Sequence, residues 1–166
     1  MKSLKKILIF ILLVVAIFAL ASCDDKPQAK QLTDLTLPKL NDNQAAVIIK
    51  NGDSDYVSYT VNLTKVSEGD VTVEDVLAYL KDEAGLTLDW TDSTYGKYIN
   101  AIGGLTPNAS NNEYIEVFTS NSAFQGTWAG VAEIKADGTT LKSASVGVSE
   151  LVVAAGDVIY FEIATF

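Results

Sequence analysis

The chain's only cysteine, Cys23, stands at the end of its N-terminal leader, so nothing that follows can be stapled by an internal disulfide. Lys2, Lys5 and Lys6 precede an uncharged run from Ile7 to Ala21, and small residues lead up to the cysteine, which is the layout of an export leader. The run is 15 residues long, short of the ~20 that a helix needs to cross the hydrocarbon core, and this disfavours a plain membrane anchor. A chain sent outside the cytoplasm without covalent cross-links must hold itself together by burying apolar surface. With a 22-residue leader removed, 166 − 22 = 144 residues remain, enough for one domain with a sizeable core.

The tetrapeptide Leu20-Ala21-Ser22-Cys23 resembles the lipobox of bacterial lipoproteins. The resemblance implies that residues 1–22 are a signal peptide, that Cys23 becomes a lipid-bearing N-terminus, and that the protein sits on the extracytoplasmic face of the cell membrane. Acyl chains contribute about 0.8 kcal/mol per buried CH2, so two or three of them hold a small domain durably. A thioether-linked lipid also leaves no thiolate for catalysis or metal binding. Residues 23–43, polar and without clear periodicity, read as a tether, and about 20 flexible residues give a mean reach of roughly 25 Å. Residues 44–166 are then the folded domain.

The chain has 12 Lys+Arg against 21 Asp+Glu, and three lysines leave with the leader, so the mature net charge is (12 − 3) − 21 = −12. Nucleic acid is excluded as a partner, because holding a phosphate backbone takes clustered cations and this chain has no arginine and no basic run after the leader. The same acidity repels anionic headgroups, which leaves attachment to the acyl chains.

Ala45-Ala46-Val47-Ile48-Ile49-Lys50, the turn Asn51-Gly52-Asp53, and the alternation of Tyr56, Ser58, Thr60 and Asn62 with Val57, Tyr59, Val61 and Leu63 predict a strand pair. From Val71 to Gly85 the period changes: Val73, Val76, Leu77, Leu80 and Ala84 fall at helical spacing. Thr72 stands at the N-cap, Glu74 and Asp75 in the first turn, and Gly85 at the C-terminal left-handed position. Strands are expected at Leu86–Trp90, Tyr98–Ile102, Tyr114–Thr119, Val131–Lys135, Thr139–Lys142 and Val158–Ile163, separated by turn residues. One helix whose apolar stripe needs a sheet to cover gives an α+β fold.

Three segments in this order resemble the transcobalamin-like C-terminal family, also called domain of unknown function 4430. They are Thr72 to Leu80 (TVEDVLAYL), Tyr95 to Leu105 (YGKYINAIGGL) and Ala155 to Phe161 (AGDVIYF). The resemblance spans roughly Ala45 to Phe166 and implies a β-grasp-like mixed sheet with one packed helix. It also implies a cobalamin-like or other small ligand. Family members carry a tryptophan-led strand ending in Asn-Gly after the central motif. Here the nearest segment is Tyr114 to Asn121, and a longer insert, Ser122 to Ser145, follows it.

Histidine is absent, which removes Ser-His-Asp and Cys-His mechanisms and the commonest zinc ligands; no phosphate-cradling glycine loop is present, and no cofactor or metal is indicated. Asp89, Asp92, Glu113, Glu116, Asp157 and Glu162 supply carboxylates for a glycosidase-type pair, as the surface of any acidic domain does. The aromatics are more pointed. Trp90, Tyr95 and Tyr98 cluster around a glycine, and Phe124 and Trp128 sit in the Ser/Asn/Gly-rich insert. Such rings either complete the core or stack on a corrin, a sugar or a peptide.

The expectation is a non-enzymatic, membrane-anchored binding module, for a corrinoid-like ligand handed to a transporter or, alternatively, an adhesive or scaffold domain touching cell-wall glycan or a protein partner. A preformed aromatic pocket favours the first and a flat exposed aromatic patch the second. Two carboxylates facing each other across a cleft at ~5–9 Å would favour a hydrolase.

Overall fold

The computed structural model describes residues 29–52 and 55–166. The leader, Cys23 and the first part of the expected tether lie outside the described residues. Strands β2 (Gln44–Asn51) and β3 (Asp55–Asn62) form the expected antiparallel hairpin, with Val47 opposite Tyr59. Helix α1 (Val73–Ala84) follows. Thr72 and Asp75 close a capping box at its start, and Gly85, at φ 68°, ends it in the left-handed conformation that glycine adopts without strain. Its inward face, Val73, Val76, Leu77 and Leu80, is buried.

Next come β4 (Leu88–Ser93) and β5 (Gly96–Ile102), a two-stranded sheet of their own, then β6 (Glu113–Thr119), β7 (Glu133–Ala136), β8 (Thr139–Ser143) and β9 (Val158–Thr165). With the short β1 (Lys30–Gln31), these make a mixed seven-stranded sheet in the order β1-β7-β8-β6-β9-β2-β3. At its heart, β2 runs parallel to β9, with β3 and β6 antiparallel outside them. This is the β-grasp order, and the α+β expectation holds.

Both faces of the sheet are covered, which explains why Ala45 to Ile49 reads as an unbroken apolar run. Ala45, Val47 and Ile49 join Ile159 and Phe161 in the core under α1; Ala46 and Ile48 join Phe118, Ile134, Leu141 and Tyr160 on the opposite side.

Within the insert 122–145, the strands expected at Val131–Lys135 and Thr139–Lys142 appear as the β7–β8 hairpin, which extends the sheet beyond β6 through Phe118 and Thr119 opposite Ser143 and Lys142. One expectation changes here. Residues 29–43, expected as part of a free tether, lie against the second face of the sheet. Lys30 and Gln31 pair with Ile134 and Lys135, Leu32 and Leu35 are buried, and Leu37 and Leu40 pack beside them. The physical reason is the open apolar side of the sheet, which needs a cover that α1, on the other face, cannot provide.

Candidate binding surface on the β4–β5 hairpin

The hairpin β4–β5 carries Trp90, Tyr95 and Tyr98, and its root is fixed. Leu88, Ile99 and Ile102 are buried in the main core, and the Lys97 N–H donates to Ser149 Oγ at 2.9 Å. Gly96, at φ 92°, lies so close to Ser149 that a Cβ there would overlap the serine side chain. The turn is held from within: Ser93 Oγ accepts from the Tyr95 N–H at 3.2 Å and donates to the Gly96 carbonyl at 2.7 Å.

Cross-strand register separates the aromatics. Trp90 stands opposite Ile99 and Asp92 opposite Lys97, so these four share one face; Thr91 and Tyr98 share the other. The arrangement depends on a bulge at Asn100, which shifts the register between Asp89 and Trp90. On the inner face Trp90 packs half-buried against the core, with Lys97 Nζ 5.6 Å from its ring centroid and 2.6 Å from Asp92 Oδ1. The hydrogen bond to Asp92 is the main cause that holds the Lys97 ammonium above its ordinary pKa; partial desolvation opposes it, and the charges of Asp92 and Glu74 add to it. On the outer side Tyr98 is 54% exposed, and at the tip Tyr95 is 85% exposed.

The insert aromatics are also parted. Phe124 is half-buried against the main core. Trp128 is 51% exposed, and its ring lies so close to Gly126 that a Cβ there would overlap it. Two open clefts, of about 370 Å³ beside Leu63, Asp70 and Val153 and of about 350 Å³ beside Leu35, Lys135 and Asp137, have no aromatic residue in their walls. Trp90, Tyr95, Tyr98, Phe124 and Trp128 therefore do not line either cavity.

Of the carboxylates, Glu116 and Glu162 stand opposite each other on β6 and β9. Both hold structural partners. Glu116 accepts from the Ser143 hydroxyl; Glu162, only 7% exposed, accepts from Lys30 Nζ at 2.6 Å and from the Tyr160 hydroxyl at 3.1 Å. Burial raises the Tyr160 pKa far above that of an ordinary phenol, and Glu162 adds to the shift. Asp157 accepts from Asn121 Nδ2 and the Ala154 N–H, and Glu113 from the Asn108 N–H. Neither described cleft is walled by Glu116 or Glu162.

Lys97 and Ser149 escaped the sequence reading. Lys97 sits between Gly96 and Tyr98 in a motif whose aromatics drew attention, and Ser149 lies 52 residues away from it, where only the fold connects them.

The sequence matches no family model and no curated protein. Among solved structures, a protein of Ruminococcus gnavus ATCC 29149 described as a candidate metal binding protein is similar with a TM-score of 0.51 at 13% identity, over 75% of this chain and 99% of that one. Haptocorrin in complex with Cbi aligns at a TM-score of 0.44 and 15% identity; the match covers 76% of this chain and 26% of haptocorrin, so this chain spans about a quarter of it. At these identities the likeness to the Ruminococcus protein establishes one thing, a shared fold.

Proposed function

We propose that this chain is a non-enzymatic binding module, held on the extracytoplasmic face of the membrane by lipid on Cys23, and that the β4–β5 hairpin makes the contact. One observation carries the reading: Tyr95 and Tyr98 are displayed to solvent on a hairpin whose root is locked into the core. A protein gains nothing for its own stability from an exposed ring, whereas a partner with a flat apolar face gains stacking and buried area. The surrounding Asp89, Thr91 and Ser93 are exposed acceptors and hydroxyls, chemistry that suits a neutral glycan of the cell wall. An anionic polymer would be repelled by a mature chain of net charge (12 − 3) − 21 = −12.

A corrinoid-like ligand is the second reading, and the position of the central motif favours it: Tyr95 to Leu105, which resembles the transcobalamin-like family, supplies the tip tyrosine and the second strand of this hairpin. Without histidine the chain cannot coordinate cobalt through imidazole, so a corrin would lie flat on the tyrosines.

The test is retention of the leaderless chain on insoluble, charge-neutral cell-wall glycan, with Tyr95→Ala and Tyr98→Ala combined. The glycan reading expects at least tenfold loss of retention with an unchanged melting curve. A corrinoid titration followed by the fluorescence of Trp90 and Trp128 separates the two ligands. Equal retention by both chains, with no response to any corrinoid at high micromolar concentration, would sink the hairpin as the contact surface.

A further inference from the structure

The seven-stranded sheet has two edges, and the chain treats them differently. At one edge β1 covers part of β7, pairing Lys30 and Gln31 with Ile134 and Lys135. At the other, β3 runs for eight residues with β2 as its only strand partner among the described residues. Such an edge is ordinarily blunted by proline, lysine, a bulge or a covering element. Between Asp55 and Asn62 there is no proline and no lysine, and the pairing with β2 is unbroken from Asn51 opposite Asp55 to Gln44 opposite Asn62.

The direction of the free backbone groups can be read from the ladder. Leu63 donates its N–H to the Asn43 carbonyl at 2.8 Å, so by alternation Val61, Tyr59 and Val57 also turn toward β2. Tyr56, Ser58 and Thr60 then point their N–H and C=O groups away from the sheet. Asn62 ends the strand and caps the 3-10 turn that follows it, its side chain accepting from the Thr64 N–H at 3.1 Å. The open template is therefore three residues long in hydrogen-bonding terms and centred on Ser58.

We infer that β3 pairs antiparallel with β3 of a second copy of this chain, across a two-fold axis at Ser58. In this register Tyr56 exchanges hydrogen bonds with Thr60 of the second copy, Ser58 with its own counterpart, and Thr60 with Tyr56, so each of the three outward residues is matched. Val57 falls opposite Tyr59, a β-branched and aromatic pair of the kind that stabilises neighbouring strands. The pattern also solves a charge problem. The chain is acidic overall, but Asp55 is the only charge in β3 and it falls opposite Val61, leaving the two Asp55 carboxylates at opposite ends of the new strand pair. A second copy thus meets this edge without like charges in register.

The test uses the full chain in the membranes of cells that express it, under mild copper(II)-phenanthroline oxidation. In Ser58→Cys, two residues directly opposite each other have Cα atoms about 5.5 Å apart, within disulfide range. In Thr60→Cys, the same face and similar exposure are kept, but the two cysteines are displaced by four residues along the strands, roughly 13 Å. The expected result is a cross-linked dimer from Ser58→Cys, with none from Thr60→Cys or from the unchanged chain. Ser58→Lys, which sets two ammonium groups against each other at the axis, is expected to lower the dimer fraction of the detergent-solubilised full chain at least tenfold by native mass spectrometry. Cross-linking at both positions, at neither, or between Ser58→Cys and a different protein would overturn the second copy as the occupant of this edge.

Discussion

Tyr160 is fully buried with its hydroxyl on Glu162, and its ring packs edge-on to Phe118 at 5.8 Å. Its proton is retained in the folded chain to well above the pH at which an ordinary phenol ionises, whereas the unfolded chain releases it near pH 10. The folded state thus binds more protons than the unfolded one above that pH. The contribution to stability is complete below about pH 10 and is lost as the pH rises beyond it. Denaturant midpoints measured between pH 9 and 11.5 should fall steeply for the unchanged chain and less steeply for Tyr160→Phe. Part of the slope survives in the variant, since burial also raises Tyr56 and Tyr114. At the hairpin the residue that matters is Gly96. In Gly96→Ala, a methyl group is added where φ is 92° and Ser149 already fills the space, so about 1–2 kcal/mol should be lost on chemical unfolding. The exposed tyrosines make a contrasting case: Tyr95→Ala should leave the unfolding curve within ~0.5 kcal/mol, because Tyr95 touches little of its own protein.

Among the elements, α1 owes its start to Thr72 and Asp75, whose reciprocal hydrogen bonds satisfy two otherwise orphaned backbone donors. Thr72→Ala should cost about 1 kcal/mol of stability by denaturant titration. The segment 29–40 offers a sharper case. Leu35 is buried against the second face, so Leu35→Ala should cost roughly 2–4 kcal/mol, whereas a free tether would register no change at all. The physical basis for what was legible in the sequence follows from these elements. Helix α1 announces itself through a period, a cap and a closing glycine, all local signals. β3 alternates because one of its faces is solvated, and β2 does not because neither of its faces is. The segment 29–40 gives no local signal: Leu32, Leu35, Leu37 and Leu40 follow neither helical nor strand spacing, since they are placed by the curved surface they cover. The aromatic hairpin falls between these cases. Its residues and turn are visible in the sequence, but which rings face outward depends on the bulge at Asn100, and a shift of one residue there would exchange the inner and outer sets.

For the whole molecule, covering both sheet faces divides the core into two clusters, one under α1 and one under the N-terminal segment. The second cluster is closed by a connection made early in the chain and late in it, Lys30 to Glu162 at 2.6 Å. With the proposed lipid on Cys23, this changes what the N-terminal segment does. Chain that is paired from Lys30 onward leaves seven Cα steps back to Cys23, at most about 25 Å when fully drawn out. The figure expected as an average excursion becomes a ceiling. A body of 138 residues, 29 to 166, has a radius of gyration of about 14 Å, so the leash is shorter than the diameter of what it holds. With Cys23 lipidated as proposed, the protein would stand on the membrane like a lamp on a short stem, its N-terminal side held close to the lipid and its far side offered to whatever approaches from the wall.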